Sequence, residues 1–261
     1  ETSLVWERAT GQPIGPCVVW QCQRTASFCQ ELKAQGIEPL LRERTGLQLN
    51  PMFSASKIRW LLDHVADGHR RAEQGELCAG NVDAWLLWNL TGSAVHATDM
   101  TNASRTLLLN LRTLEWDTKA LDIFGLPEVA LPDIRPSSYI YGETVPIGRL
   151  PGGIPIASLI GDSHAALFGQ GGFKPGSIKT TYGTGSSLMT PTSDLVFSKR
   201  GLSTTIAWAR RGATYALEGN IYATGAAVDW LGRLLRLDEP GPGVERLAQE
   251  VEDSGGVCFV P

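Results

Sequence analysis

The segment from Ile154 to Ile160 constrains this chain most. A short apolar run ends at Gly161-Asp162 and passes into Ala165-Ala166-Leu167-Phe168, a small-residue stretch that suits a helix. A strand that turns into a helix in this way belongs in an open α/β sheet, where ligands meet the chain at the carboxyl ends of strands. Asp162 stands at such an end, and a carboxylate there, among small residues, can approach a substrate hydroxyl and accept its proton. An Asp ahead of a helix is also a common N-cap. On this pattern alone both readings stand.

Other segments alternate between strand and helix signals. Leu4 to Trp6 and Val18 to Trp20, separated by Thr10-Gly11-Gln12-Pro13, predict a hairpin or two adjacent strands. Ile58, Leu61, Leu62 and Val65 fall at i, i+3, i+4, i+7 behind an N-cap at Ser54 or Ser56. Val82, Trp85 and Leu86 begin a second stripe that Thr91-Gly92 stops. Pro127 to Pro155 is rich in Pro, Gly and Ser and reads as irregular surface connections. Ser177 to Tyr182 and Ser186 to Met189 predict a hairpin tipped by Gly183-Thr184-Gly185. Ala227, Trp230, Leu231 and Leu234 form one more helical stripe and Val244, Leu247, Ala248 and Val251 another, with Pro240-Gly241-Pro242-Gly243 between them. The Gly-rich stretch Gly169 to Gly176 marks the expected change of domain, giving 1–168 and 169–261.

Composition excludes several function classes. At 43% hydrophobic and 19% charged the chain can bury one sizeable core or two smaller ones. Its formal charge of −4, with dispersed Lys and Arg, leaves no basic stripe for nucleic acid. No apolar run approaches the ~18 residues a bilayer span needs, and Glu1-Thr2-Ser3 does not open a signal peptide, so no membrane partner is expected. The five cysteines, odd in number and without a C-x-x-C pair, suit a reducing, cytoplasmic setting. The chain begins without Met and closes on the apolar run Val257 to Pro261, which reads as a strand entering a core and as a cut at both ends.

Further candidates carry chemistry. Backbone amides in the Gly183-Thr184-Gly185 turn can cradle a phosphate, although most such turns are only turns. Gly161-Asp162-Ser163-His164 matches the opening block of GDS-type esterases, with Ser163 as nucleophile, but His64, His69 and His96 show no pattern that would activate it. His64 and His69 read as solvated. No His or Cys pair has zinc-like spacing, so no protein-held metal is expected.

The segment Met52-Phe53-Ser54-Ala55-Ser56-Lys57-Ile58-Arg59-Trp60-Leu61-Leu62-Asp63-His64 resembles the first signature of the FGGY carbohydrate kinases. Gly80 to Leu86, Thr98 to Thr106, Arg135 to Ser138, Ala165 to Gln170, Thr181 to Gly185 and Tyr215 to Gly219 look like the glycerol kinase branch of that family, in the same order along the chain. The resemblance implies an actin-like, ribonuclease-H-type α/β fold, two domains around a cleft, present here as a fragment. It implies ATP and Mg²⁺ on one side of the cleft and a small polyol or sugar at its floor. Carried over by position, Asp162 matches the catalytic base, and Glu1 and Trp20 match residues that hold and wall the polyol. Gly183, Thr184, Gly185, Gly225 and Asp229 match the nucleotide side.

Departures fall on the substrate side. Met52 stands where that branch has a tyrosine, Ser163 replaces a glutamine, and Ser187 replaces a phenylalanine, which implies a roomier or more polar pocket than one shaped for glycerol. On the nucleotide side, Asp229 likewise replaces a glutamine of that branch. A non-catalytic polyol-binding sensor is the alternative that these changes motivate. An unpaired sheet edge at a cut would invite association into a homo-oligomer.

Overall fold

The computed structural model describes residues 1–259. Strand β1 (Ser3–Glu7) is followed by helices α1 (Ala26–Ala34), α2 (Glu38–Thr45), α3 (Ser54–Asp63) and α4 (Gly68–Glu73), then β2 (Leu77–Asn81), α5 (Val82–Leu90), β3 (Ala97–Asp99), α6 (Met100–Ala103) and α7 (Thr118–Phe124). Next come β4 (Asp133–Arg135), β5 (Ser138–Glu143), β6 (Pro155–Ser158) and α8 (Asp162–Gly169). The last part holds β7 (Lys179–Tyr182), β8 (Ser186–Pro191), β9 (Ser203–Ala209), β10 (Ala213–Ile221), α9 (Gly225–Leu234) and α10 (Pro240–Ala248).

Strand β1 is buried on both faces, so its alternation sorts side chains between two apolar clusters. Val5 joins Ile58, Leu61, Leu62, Leu77 and Phe124 on one side. Leu4 and Trp6 join Cys78, Ala84 and Trp88 on the other. Antiparallel pairing with β2, Ser3 opposite Asn81 and Glu7 opposite Leu77, fixes that register. The expected return strand Val18–Trp20 reduces to bridges of Val18 to Ser3 and of Pro13 to Trp6. Pro13 and Pro16 have no N–H to give a ladder.

The stripe of α3 is confirmed at Ile58, Leu61 and Leu62, but the N-cap is Phe53, not Ser54 or Ser56. Both serines are spent on tertiary bonds: Ser54 Oγ donates to Asn81 Oδ1 at 2.7 Å and Ser56 Oγ lies 2.8 Å from Thr25 Oγ1. The Ala55 N–H is satisfied by Thr106 O at 2.9 Å, so no side-chain cap is needed. Helix α5 turns Ala84, Leu87 and Trp88 inward and leaves Val82 and Leu86 exposed, reversing the stripe expected from the sequence. This helix is apolar nearly all round, so periodicity could not choose its buried face.

The region expected to be irregular is more ordered than its composition implies. Strand β4 pairs in parallel with β3, Thr98 opposite Ile134. Strand β5 pairs antiparallel with β6. The run leading to Asp162 is therefore a strand, as read, but a mostly exposed one in a two-stranded antiparallel ribbon.

Strands β7-β8-β10-β9 form a four-stranded antiparallel sheet, and the predicted glycine-tipped hairpin is its first pair. Helices α9 and α10 follow, with Trp230, Leu234 and Leu247 exposed. Pro240 to Gly243 does not separate the helices but forms the first turn of α10, Pro240 sitting where its missing N–H costs nothing. Residues 257–259 form no strand, and Val260 and Pro261 lie outside the described residues.

Edge strand β9 is fastened to the earlier part of the chain. Thr204 N donates to Gly46 O at 2.9 Å, and Gly46 has φ +75°, where a Cβ would fall 2.5 Å from Thr204 O. Only glycine fits there. Ser104 Oγ lies 2.7 Å from Thr205 Oγ1, Ala209 N donates to Ser137 Oγ at 3.0 Å, and Tyr215 Oη on the neighbouring β10 donates to Leu111 O at 2.9 Å. Among the described residues no helix is long and apolar enough to cross a membrane.

Candidate functional site

The floor of the site is built around Arg105, which follows α6 and is 4% exposed. Its Nε donates to Glu1 Oε1 at 2.8 Å, and its Nη2 lies 2.6 Å from Glu218 Oε2. The guanidinium also sits 5.1 Å above the Phe53 ring. Burial alone would raise the Glu1 carboxyl, but the Arg105 charge, together with the residue's own terminal ammonium, overrides it and holds the group down at about 2. Glu218 reaches this floor because β10 alternates: Ala216 and Glu218 share the buried face. Ser187, on the neighbouring β8, donates its Oγ to Glu218 Oε1 at 3.2 Å. Glu1 and Ser187, far apart in sequence, are thus joined through Arg105 and Glu218.

Met52 is buried against the first apolar cluster, and half-buried Trp20 packs on the same cluster. The carbonyl of Met52 accepts from the buried Lys57 ammonium, whose pKa burial pushes down to about 8.

Asp162 is the first residue of α8 and is exposed. The N-cap is Gly161, not Asp162. Oδ1 of Asp162 accepts from Ser163 N at 2.7 Å, and among the described residues Oδ2 takes no hydrogen bond. Gly161 N donates to Thr101 Oγ1 at 2.9 Å, anchoring the turn that aims the carboxylate outward. Thr101 is in turn held by Asp99, which accepts from Thr101 Oγ1, Asn102 Nδ2 and Ser137 Oγ at 2.8, 2.8 and 2.6 Å.

Among the described residues no hydrogen bond joins Ser163 to a histidine, so nothing favours the esterase reading. The adjacent His164 is buried and turned to Thr205 Oγ1 at 3.3 Å. Burial depresses its pKa to about 4, keeping the ring neutral. His64 stacks on Trp60 at 3.9 Å, and His69 Nε2 lies 2.7 Å from Asp63 Oδ1, both near the surface as read.

The glycine residues expected on the nucleotide side come together although some forty positions separate them in sequence. Gly183 N donates to Gly185 O at 2.9 Å, closing the turn. Gly225 N donates to Gly183 O at 3.0 Å, and Thr224 N and Ala226 N both donate to Thr184 O, at 2.9 and 3.1 Å. A Cβ on Gly225 would fall 2.5 Å from Gly183 O, and one on Gly185 the same distance from Ile221 O. Close approach, not unusual φ, demands these glycines. Asp229 is half exposed in the next turn of α9, with its carboxylate 2.6 Å from Arg233 Nη2.

Sequence reasoning did not single out Arg105, Glu218 or Lys179. Lys179 is 1% exposed, and its Nζ has no hydrogen-bond partner among the described residues. Burial lowers its pKa, while the Glu218 and Asp162 carboxylates pull it back up. The available signal was a lone charge at an inward strand position, as with Glu218 beside Ala216.

Asp83, in the first turn of α5, is half-buried with its carboxylate enclosed, accepting from Thr98 Oγ1 at 2.6 Å. Burial raises its pKa to about 6, with the Thr98 hydroxyl opposing and Asp99 adding to the rise. Between about pH 4 and 6 the folded state therefore holds more protons at this site than the unfolded chain, and its contribution to stability falls as pH rises. In the whole protein, Asp83→Asn removes that slope: its stability relative to wild type, from urea denaturation, should rise by roughly 2 kcal/mol from pH 4 to pH 6. A difference constant across that window would contradict the raised Asp83.

Comparison with known proteins gives a consistent picture. The pattern of the FGGY family of carbohydrate kinases, N-terminal domain, matches residues 1–169. The chain is 54% identical to glycerol kinase of Thermus brockianus over 263 aligned positions, covering 100% of this chain and 53% of that protein. Against glycerol kinase of Carboxydothermus hydrogenoformans the identity is 49%, with the same coverage. It therefore spans about half the length of the curated relatives it matches. Among solved structures, Plasmodium falciparum glycerol kinase with ADP superposes with a TM-score of 0.90 at 35% identity, covering 100% of this chain and 52% of that one. Gluconate kinase of Lactobacillus acidophilus, at 20% identity and a TM-score of 0.81 over 96% of this chain and 50% of that one, shares the fold.

Proposed function

The chain belongs to the FGGY family of carbohydrate kinases, and from that we propose that the whole protein transfers the γ-phosphoryl group of ATP·Mg²⁺ to a hydroxyl of a small polyol or sugar. The observation that carries the reading is the juxtaposition of an outward-facing carboxylate, Asp162, with a buried ion cluster at the site floor and a glycine turn backed by a helix start. Phosphoryl transfer asks a protein mainly to position groups and to stabilise charge.

In this scheme Asp162 Oδ2, free of hydrogen bonds while Ser163 N holds Oδ1, takes the proton of the attacking hydroxyl. Glu1, fixed as a carboxylate by Arg105, accepts from polyol hydroxyls, and Trp20 and Met52 wall the carbon chain. Ser187, bonded to Glu218, leaves the floor more polar than an aromatic would, and Ser163 would meet the polyol beside Asp162. Gly183, Thr184, Gly185 and Gly225 present backbone to the nucleotide phosphates without side-chain bulk. Asp229, neutralised by Arg233, lies farther along that helix and reaches the nucleoside end. Mg²⁺ would enter with the nucleotide, as part of the phosphoryl-donor substrate.

The names of the relatives put glycerol first among the acceptors, and the substitutions at positions 52, 163 and 187 extend the candidates to tetritols, pentitols and ketopentoses. The five thiols are free, in keeping with a cytoplasmic enzyme. The division at 168/169 and a homo-oligomeric state belong to the same proposal. The test is ATP consumption by the whole protein against that panel. Turnover on one member establishes the kinase and names its substrate, and binding of a polyol without ATP consumption by any would replace the kinase with a sensor.

A further inference from the structure

Tyr222 follows β10 directly and reaches Met52 from the other part of the chain. Its Oη donates to Met52 Sδ at 3.6 Å. A thioether is a weak acceptor, so this phenol has a donor to spare. The ring is 50% exposed, while Met52 beneath it is 7% exposed. The strand that delivers it pairs Asn220 with Ser187, the residue that donates to Glu218, so Tyr222 leaves the sheet beside the ion cluster. Its backbone is fixed, since Gly185 packs so closely that a Cβ would fall 2.9 Å from Tyr222 O.

A donor that is rigidly based, half exposed and given only to sulfur, with the Asn50 side chain beside its oxygen, will exchange that sulfur for a better oxygen acceptor when one arrives. We infer that Tyr222 is a specificity-determining residue, whose hydroxyl leaves Met52 Sδ and hydrogen-bonds one hydroxyl of the polyol seated on Glu1 and Arg105. The inference takes its ligand class from the kinase reading and adds a residue outside the positions assigned above. Met52 then sets the position of Tyr222, while its own side chain supplies only apolar contact.

Tyr222→Phe in the whole protein tests this, because it keeps the ring and removes only the oxygen. Calorimetric Kd and steady-state KM are measured for the accepted polyol and for each of its monodeoxy analogues. For the complete polyol, Kd and KM should rise about tenfold, with the loss in KM exceeding that in kcat. One deoxy analogue, the one lacking the hydroxyl that Tyr222 reaches, should bind variant and wild type equally. Unchanged affinity for the polyol, or equal weakening for every analogue, would overturn the assignment. If wild type binds a polyol but consumes no ATP, the kinase reading falls and the Kd comparison still decides Tyr222; a protein that binds none of the panel overturns both.

Discussion

Asp162→Asn in the whole protein should fold normally and lose about a thousandfold or more in kcat. The folding half follows from geometry. Asp162 is exposed, and its one hydrogen bond, from Ser163 N to Oδ1 at 2.7 Å, is accepted equally well by an amide oxygen. The change should therefore move stability by no more than about 0.5 kcal/mol. The catalytic half follows from what the amide lacks, since Oδ2 is the atom left free to receive a proton and an amide nitrogen cannot. Positioned general bases contribute roughly 10²- to 10⁴-fold. Polyol KM should change little, because Glu1 and Arg105 are untouched. Steady-state kinetics with matched urea denaturation checks both halves, and near-normal turnover in a folded variant would remove Asp162 from its role.

Arg105→Met should produce the largest loss of stability. The side chain is 5% exposed and stands between Glu1 Oε1 and Glu218 Oε2 at 2.8 and 2.6 Å. Methionine fills much of the space but leaves two carboxylates facing each other without the cation that stands between them. Removing one partner of a buried ion pair costs about 3–5 kcal/mol, mostly the uncompensated charge that remains. The pH dependence separates charge from packing. In wild type the depressed Glu1 contributes stability above its ordinary pKa, and that contribution is lost as pH falls toward about 2. The gap between variant and wild type should therefore narrow in acid, and Glu218→Gln added to Arg105→Met should recover part of the loss at neutral pH. A gap independent of pH would assign the effect to packing alone.

What was legible in the sequence was local. The α3 stripe, the glycine-tipped hairpin and the strand-to-helix turn at Asp162 each rest on residues within a few positions of one another. The family signatures placed Asp162, Glu1 and the glycines without any knowledge of how they meet. The ion cluster was illegible because it joins a residue ahead of β1, one just after α6 and one on β10, and nothing near Arg105 in the sequence signals Glu218. The serines before α3 misled for a related reason: distant partners, Asn81 and Thr25, compete for hydroxyls that local rules would spend on the cap. On α5 the apolar residues encircle the helix, so only the position of Trp6 decides which face goes inward.

The fastening of β9 bears on how the cleft moves. Any opening that swings the last part of the chain away from the first cannot pivot freely at the glycine-rich connection after α8. Thr204, Thr205, Ala209 and Tyr215 bind backbone or side chains at Gly46, Ser104, Ser137 and Leu111, and those bonds would have to break together. The edge of the second sheet therefore travels as ballast with the first part. Flexing is left to the opposite edge, where β7, the glycine turn and the start of α9 carry the backbone proposed to face the nucleotide phosphates. Amide exchange should divide the sheet along its own width, slow at β9 and faster toward β7. The moving jaw is then smaller than the domain that bears it.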